Sequence, residues 1–283
     1  MLGSTLTKYL TPWVNEIVEF NRSGKPTVSG NRALAFDAIV GNPIKEYLDK
    51  ERFDFVINAI GMIKQLMNET DKEVAKTAYL INSDFPRELN AYAKDNPTAI
   101  IQIGTDCVYS GRQGNYSECS KFDCDDLYGL SKVSGETESN SLMTIRCSII
   151  GHEIKQPVSL MDWFLTQQTS ATVKGYTNHH WNGVTTLAFA RIVRGIIHHN
   201  TFVRGTLHLV PRDQISKFEL LQLLAMQFGR ADIKVNEFET EFGVDRTLTT
   251  LFPEKNYRLW LDAGYTQVPS IAELIEEYAE WSS

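Results

Sequence analysis

Strand-length apolar runs alternate with amphipathic helical patterns along this chain, and this alternation restricts its fold more than any other feature. The apolar runs are residues 16–20, 33–36, 53–58, 98–103, 142–145 and 206–210. The helical patterns are residues 2–10, 72–94, 126–138 and 187–199. Strands without polar interruption are typical of a parallel sheet that is covered by helices on both faces. The sequence therefore predicts an α/β fold with a doubly wound, Rossmann-like parallel sheet, whose ligand lies at the C-terminal ends of the strands.

The pattern becomes shorter and less regular after about residue 150. Residues 175–183 have the composition of a loop, and amphipathic helices are predicted at 218–228 and 270–281. These features predict a smaller C-terminal lobe over residues 151–283. We expect this lobe to be interleaved with a first domain over residues 1–150, against which the helix at 187–200 packs.

The composition excludes several classes of protein. The 283 residues are 42% hydrophobic and 22% charged, which is ordinary for a globular chain. A net charge of −7 argues against nucleic acid or an anionic membrane surface as a partner. No apolar run approaches the roughly 18 residues of a membrane helix, and no signal-like stretch opens the chain, so we expect a cytoplasmic protein. Four scattered cysteines form neither a disulfide scaffold nor a zinc motif, and we predict no metal.

The beginning of the chain departs from the usual order of such a fold. Residues 2–10 predict a helix, whereas a doubly wound sheet normally opens with a central strand and a glycine-rich turn. Only Gly3 stands where such a turn would end. Either residues that precede Met1 in the natural protein are missing from this sequence, or the protein has lost the strand. We favour the first explanation because a central strand is costly to remove from a packed sheet.

The pair Tyr128 and Lys132 is the most informative candidate for catalysis. The two residues are four positions apart within the helical pattern at 126–138, so they share one face. An ammonium group beside a phenol favours the phenolate, so we expect Lys132 to lower the pKa of Tyr128 and the pair to move a proton. Gly129 and Gly135 in the same helix indicate close approach by a ligand or another backbone. Taken alone, the pair also fits an ordinary solvated helix surface.

A hydroxyl and several small residues follow other predicted strands. Thr105 follows the strand at 98–103, where its hydroxyl can polarise a carbonyl oxygen in the crevice or merely cap a turn. The turn at 58–61 consists of Asn58, Ala59, Ile60 and Gly61, which permits a dinucleotide backbone to pass closely.

Two charged residues follow the first two predicted strands. Arg22 stands where a cation can meet a 2′-phosphate, and Asp37 can accept a hydrogen bond from an adenine amino group. Each of these residues has a surface interpretation when it is taken singly.

Together and in order, these motifs resemble the extended short-chain dehydrogenase/reductase family, most closely its dTDP-4-dehydrorhamnose reductase branch. The resemblance rests on the Tyr-Gly-x-Ser-Lys-x-x-Gly-Glu helix from Tyr128 to Glu136 and on the Thr-Asp-x-Val-Tyr-x-Gly segment from Thr105 to Gly111. It covers nearly the whole chain, more loosely after residue 155. The first two glycines of the family's dinucleotide motif are absent, and only the last one matches, at Gly3. A chain that lacks them is expected to bind a dinucleotide poorly.

The resemblance implies an NADPH-dependent reductase of the 4-keto group of a nucleotide-linked 6-deoxy sugar, with NADH as the alternative cofactor. Its catalytic residues would be Thr105, Tyr128 and Lys132. Its cofactor-binding residues would be Gly3, Arg22, Asp37, Asn58, Ala59, Ile60, Gly61, Tyr128 and Lys132. Its substrate-binding residues would be Thr105, Asp106, Val108 and, from an aromatic ring suited to a base or sugar, Trp181.

The resemblance leaves other functions open. Relatives of this fold include non-catalytic subunits that bind NADP and a partner enzyme. Reductases of N-acetylated UDP-4-keto sugars share the same motifs, and a combined epimerase and reductase would need a second acid–base pair that the sequence does not identify. A homodimer is compatible with the sequence, which does not itself predict an oligomeric state.

Overall fold

The computed structural model describes residues 1–40, 43–136, 141–154 and 157–282. Its helices are α1 (Leu2–Leu10), α2 (Ile44–Lys50), α3 (Lys72–Tyr79), α4 (Phe85–Asp95), α5 (Leu127–Glu136), α6 (Leu160–Leu165), α7 (Thr186–His199), α8 (Lys217–Gln227), α9 (Pro253–Asp262) and α10 (Ile271–Ser282). Its strands are β1 (Val18–Asn21), β2 (Arg32–Ala35), β3 (Phe55–Asn58), β4 (Ala99–Gly104), β5 (Met143–Arg146), β6 (Ile149–Ile150), β7 (Thr172–Tyr176), β8 (His179–Trp181), β9 (Val184–Thr185), β10 (Gly205–His208), β11 (Ile215–Ser216), β12 (Lys234–Phe238) and β13 (Val244–Asp245).

The six predicted strands are present, and they form two parallel pieces. Strands β10, β5, β4 and β3 make a four-stranded sheet in that order, and β1 pairs with β2. In a doubly wound sheet the first strand normally lies between the two halves. Here the chain enters the fold with α1, and within the described ranges no strand pairs with both β1 and β3. The predicted Rossmann-like α/β class is confirmed, but the parallel strands form two separate sheets rather than one continuous sheet.

Strand β4 shows why the sheet needs an unbroken apolar sequence. Successive residues of a strand face opposite sides of a sheet. Ile100 therefore packs into the hydrophobic cluster under α2 and α4, and Ile101 packs into the cluster under α1 and α7. Both side chains are fully buried. Helices cover the two faces of this part of the sheet, as the strand pattern predicts.

The predicted helix at 72–94 is one continuous helical segment with a local change of geometry. Helix α3 passes through a π-helical turn, Leu80–Asp84, into α4. The predicted helix at 126–138 corresponds to α5, and the last two of its predicted residues lie outside the described ranges. Of the helices in the described ranges, none is both long and apolar enough to cross a membrane.

The C-terminal lobe contains strands where the sequence predicts a loop. Residues 175–183 contribute to β7 and include all of β8, which lies between β11 and β13. Gly175, the first residue of this segment, is required for packing, because a β-carbon there would lie 2.7 Å from the side chains of Phe218 and Val235. A strand glycine of this kind allows close approach of a neighbouring element.

Elements of the predicted first domain and of the predicted C-terminal lobe pack against each other. Strand β10 pairs with β5 of the parallel sheet, and residues of α7 and α9 share one hydrophobic cluster with Leu6 and Leu10 of α1. A second cluster joins α6, α8 and α10. The expected boundary between residues 150 and 151 stays a prediction.

Candidate active site

Thr105, Tyr128 and Lys132 come together at the C-terminal end of β4. The side chain of Thr105 acts on the pKa of the Tyr128 phenol, so these two groups are neighbours. The ammonium group of Lys132 donates to the main-chain oxygen of Ile103, 3.1 Å away. Thr105 and Lys132 are almost fully buried, and Tyr128 is half-buried. The three groups therefore lie at the edge of the sheet where a doubly wound fold binds its ligands.

Two glycines let α5 approach this edge. A β-carbon at Gly129 would lie 2.6 Å from the main-chain oxygen of Cys107, and a β-carbon at Gly135 would overlap the main-chain oxygen of Asn82. The helix also begins with a capping interaction, in which Asp126 accepts a hydrogen bond from the amide of Gly129 at 2.7 Å. Backbone contact rather than side-chain packing thus sets the distance between the helix and the strand end.

Burial decides the protonation of the pair. Burial raises the pKa of Tyr128, and the nearby Cys107 and Asp106 act in the same direction, against the effect of Thr105. Burial also lowers the pKa of Lys132, which Glu136 partly restores. The net pKa of Tyr128 therefore lies above its usual value, and the expected effect of Lys132 on it stays a prediction. Near neutral pH, Tyr128 is a phenol that can donate a proton.

A buried ion pair lies directly behind Lys132. The carboxylate of Glu136, one helical turn after Lys132, pairs with the guanidinium group of Arg146, and both side chains are at most 5% exposed. Arg146 also donates to the hydroxyl of Tyr109 at 3.1 Å and to Nε2 of His208 at 2.7 Å. Sequence reasoning did not assign Arg146 a role, although an arginine that ends an apolar strand is a usable signal.

The turn after β3 adjoins the start of α1. Asn58 Nδ2 donates to Gln102 at 2.7 Å, and the Asn58 carboxamide oxygen accepts the amide of Ile60 at 3.0 Å, so this side chain builds the turn. A β-carbon at Gly3 would contact the β-carbon of Ala59 at 3.6 Å. The residues predicted to bind a cofactor at the glycine position of α1 and at the turn 58–61 are therefore neighbours.

Asn82 is a buried site residue that sequence reasoning missed. Its amide group donates to the main-chain oxygen of Met62 at 3.0 Å and to Ser131 Oγ at 3.1 Å, and its oxygen accepts the amide of Met62 at 2.9 Å. These bonds connect the loop after β3 with α5. The signal that could have found it is a polar residue inside an amphipathic helical pattern.

Arg22 and Asp37 follow the C-terminal ends of the paired strands β1 and β2. Arg22 is exposed. The carboxylate of Asp37 accepts the amide of Ile39 at 3.0 Å and so stabilises its own turn. Because β1 and β2 are parallel, the two residues lie at the same edge of that sheet. Their assignment to a cofactor stays a prediction.

The residues present fit the nicotinamide end of a dinucleotide. An ammonium group has three donors, and within the described ranges the one hydrogen bond of Lys132 is the bond to Ile103. Its other donors suit ribose hydroxyls. The first turn of α1 has no side-chain cap, so its amide groups are free of side-chain acceptors and suit a phosphate.

The predicted substrate residues differ in their accessibility. Asp106 adjoins Thr105, and burial raises the pKa of its carboxyl group. Val108 is fully buried in a cluster with Tyr109. Trp181 is 4% exposed, and its indole Nε1 donates to Ser148 Oγ at 2.8 Å. The structure does not bring the side chains of Val108 and Trp181 to an open surface, and their assignment to the substrate stays a prediction.

The fold and the Thr–Tyr–Lys arrangement define the class of short-chain dehydrogenase/reductase proteins. The family model described as the RmlD substrate binding domain matches residues 1–245. The chain therefore belongs to the RmlD-type branch of the extended short-chain dehydrogenase/reductase family, a family of NAD(P)-dependent oxidoreductases. No curated protein matches the chain in a sequence comparison.

Solved structures support the same fold. A hypothetical dTDP-4-dehydrorhamnose reductase from Sulfolobus tokodaii has 24% sequence identity and a TM-score of 0.72, over 87% of this chain and 88% of that chain. A dTDP-4-dehydrorhamnose reductase from Bacillus anthracis in complex with NADP has 17% identity and a TM-score of 0.71, over 95% of this chain and 100% of that chain. The enzyme WbmG from Bordetella bronchiseptica in complex with NAD has 15% identity and a TM-score of 0.74, over 99% of this chain and 90% of that chain.

Proposed function

We propose that this protein reduces the 4-keto group of a nucleotide-linked 6-deoxy sugar with NADPH. The observation that carries the proposal is the position of three groups at the end of β4: Thr105 beside the phenol of Tyr128, and Lys132 on the same helix with its ammonium group on the main-chain oxygen of Ile103. Its family membership and the fold shared with named dTDP-4-dehydrorhamnose reductases support the same class of reaction. We further propose a place in deoxysugar or polysaccharide biosynthesis in the cytoplasm, with the protein acting as a homodimer.

The proposed reaction consumes one hydride and one proton for each carbonyl group. When bound, the dinucleotide supplies the hydride from nicotinamide C4 to the keto carbon. The hydroxyl of Thr105 orients the carbonyl oxygen, and the phenol of Tyr128 donates its proton to that oxygen as negative charge develops on it. The products are the alcohol and the oxidised dinucleotide.

Lys132 is suited to two tasks in this scheme. Its free N–H groups hold the ribose hydroxyls of the cofactor, and its positive charge stabilises the phenolate that Tyr128 becomes after it has donated its proton. Glu136 favours the charged form of this lysine, because its carboxylate opposes the effect of burial on the Lys132 pKa. Solvent returns the proton to Tyr128 after turnover.

The cofactor would lie along the edge formed by α1, the turn 58–61 and the ends of β1 and β2. The start of α1 at Gly3 would face the pyrophosphate. Arg22 would bind the 2′-phosphate that distinguishes NADPH from NADH, and for this reason we propose NADPH as the cofactor. Asp37 would accept a hydrogen bond from the adenine amino group. Solved neighbours with NADP or with NAD support a nicotinamide dinucleotide of either kind.

The experiment is an absorbance assay of NADPH oxidation with the purified protein. The substrates are a dTDP-linked 4-keto-6-deoxy sugar and an N-acetylated UDP-4-keto sugar, and the control contains no sugar. We expect oxidation that depends on the dTDP-linked sugar. Oxidation with the N-acetylated sugar alone would assign the neighbouring reductase activity. Binding of NADPH without oxidation by either sugar would contradict the proposal and favour a non-catalytic NADP-binding subunit.

A further inference from the structure

A cavity of about 230 Å³ lies between α9 and β10, the last strand of the four-stranded sheet. Its lining includes Thr201 and Val203 before β10, Leu207 on β10, and Leu259 and Asp262 on α9. Strands β4 and β10 both run parallel to β5. Thr105 follows the C-terminal end of β4, whereas residues 201 and 203 precede the N-terminal end of β10. The cavity therefore lies toward the edge of the sheet opposite to the candidate active site.

The inner wall of this cavity is apolar and its mouth is open to solvent. Leu207 and Leu259 are 5% and 4% exposed, whereas Val203 is 39% exposed. An apolar protein cavity of about 150 Å³ holds a benzene-sized ring. The cavity beside β10 is therefore large enough for a six-membered ring that carries a small substituent.

Two buried oxygen atoms of the lining residues have no hydrogen-bond partner in the part of the chain that the structure describes. They are Oδ2 of Asp262, a residue that is 7% exposed, and Oγ1 of Thr201. A buried polar atom without a partner costs free energy, and such atoms in proteins usually meet a water molecule or a ligand. These two oxygens therefore give the apolar cavity one polar end.

The surroundings of Asp262 hold its carboxylate in an unfavourable position. Asp262 is the last residue of α9, and the C-terminal end of a helix favours cations over acids. Arg258, one helical turn earlier, pairs with the other carboxylate oxygen, with its Nε 2.7 Å from Oδ1. The main chain at Asp262 lies against α7, because a β-carbon at Gly195 would be 2.7 Å from the Asp262 carbonyl carbon. The acid is thus fixed in place, and its free oxygen requires a hydrogen-bond donor from outside the chain.

The formal charges around the cavity cancel, because Glu254 and Asp262 are balanced by Lys255 and Arg258. A charged ligand would bring a charge that nothing in this lining balances, and the burial of an unbalanced charge is unfavourable. A neutral hydroxyl group avoids this cost, since it can donate to Asp262 and accept from Thr201. The side chain of Arg258 is 63% exposed, so its rotation can give a ligand access to the acid.

We propose that this cavity binds a small uncharged alcohol with a mainly apolar body. The hydroxyl group donates to Oδ2 of Asp262, and the apolar body packs against Val203, Leu207 and Leu259. The binding site is separate from the residues around Thr105 and needs neither a dinucleotide nor a sugar. The inference and the proposed reaction can therefore each fail without the other.

The experiment is an NMR titration of methyl-labelled protein without cofactor or sugar. The probes are cyclohexanol, cyclohexylamine and cyclohexanecarboxylate, which share one ring and differ in charge. We expect cyclohexanol to shift the methyl signals of Val203, Leu207 and Leu259, with a dissociation constant on the order of 1 mM. Each charged probe should bind at least about tenfold more weakly. Equal or tighter binding of cyclohexylamine or of cyclohexanecarboxylate would refute the uncharged class of ligand.

Variants place the probe in the cavity. Val203→Phe adds a ring at the mouth and should abolish the cyclohexanol shifts at Leu207 and Leu259. The matched control is Val40→Phe, at a valine that is 69% exposed and outside the cavity, and it should keep those shifts. Asp262→Asn should reduce the preference for cyclohexanol over cyclohexanecarboxylate, because the new amide group has N–H donors of its own. Wild-type protein that binds no probe, or a folded Val203→Phe that still binds cyclohexanol, would overturn the inference.

Discussion

The main-chain oxygen of Asn82 occupies the place that a β-carbon at Gly135 would need. Helix α5 can therefore lie against the π-helical turn more closely than any other residue at 135 would allow. The same helix carries Tyr128 and Lys132, so this backbone contact fixes how far the proton donor and its cationic neighbour stand from the end of β4.

Gly135→Ala is expected to destabilise the protein despite the higher helix propensity of alanine. Overpacking against backbone costs about 1–3 kcal/mol, which exceeds the gain of about 1 kcal/mol from replacing a helical glycine. Urea unfolding measures the change. Gly3→Ala is the control, because its β-carbon would make an ordinary contact of 3.6 Å with Ala59. Equal stability of the two variants would show that α5 does not depend on this contact.

Tyr128→Phe is expected to lower the turnover number at least about a hundredfold, which is the scale of general acid–base catalysis. The variant keeps the aromatic ring and removes only the hydroxyl, which lies beside Thr105. NADPH oxidation at saturating substrate measures the effect. Tyr257→Phe, on the exposed side of α9, is the control and should be as active as the wild type. Normal turnover by Tyr128→Phe would remove the phenol from the mechanism.

Glu136→Gln is expected to lower the free energy of unfolding by about 3–5 kcal/mol, because the substitution leaves the guanidinium group of Arg146 buried without its countercharge. Chemical denaturation at neutral pH measures the loss. Glu16→Gln removes one carboxylate from an exposed ion pair with Arg32 and should leave stability almost unchanged. A similar small effect for both variants would contradict the assigned burial of the Glu136 pair.

The stability of the protein is expected to fall between about pH 6.5 and pH 4 through His208. Burial, and then the charge of Arg146, lower the pKa of His208 to about 4. Its Nε2 accepts a hydrogen bond from Arg146, and its Nδ1 donates to the main-chain oxygen of Thr249, 2.7 Å away. One acceptor and one donor on the ring are what the neutral imidazole provides. Because the unfolded chain binds the proton more readily in this window, stability is fully present above pH 6.5 and declines as the pH falls.

The measurement for His208 is the free energy of unfolding at several pH values between 7.5 and 4, for wild type and His208→Gln. The wild type should lose on the order of 3 kcal/mol more than the variant over this range. Carboxyl groups that do not interact with His208 titrate equally in both proteins, whereas the pKa of Glu118 is lowered by the charge of His208. Parallel pH profiles would show that His208 does not carry this dependence.

The local sequence determined the elements of the first lobe and the identity of the central residues. Unbroken apolar runs such as Ala99–Gly104 can be buried only inside a sheet that is covered on both faces, so their pattern predicts a parallel α/β fold. The order of the motifs around Thr105, Tyr128 and Lys132 predicts that these residues lie near one another, because a strand end and the following helix are close in both sequence and space.

Tertiary structure alone decided which distant groups surround that crevice. The pairing of Glu136 with Arg146 and the bonds of Asn82 join segments whose contact no sequence periodicity predicts. The protonation of Tyr128 was likewise decided by burial, which a helical spacing of four residues does not reveal. Patterns of apolar and hydrogen-bonding residues reflect interactions between residues a few positions apart. Burial and charge, in contrast, change the pKa of a group through every residue that folding brings near it.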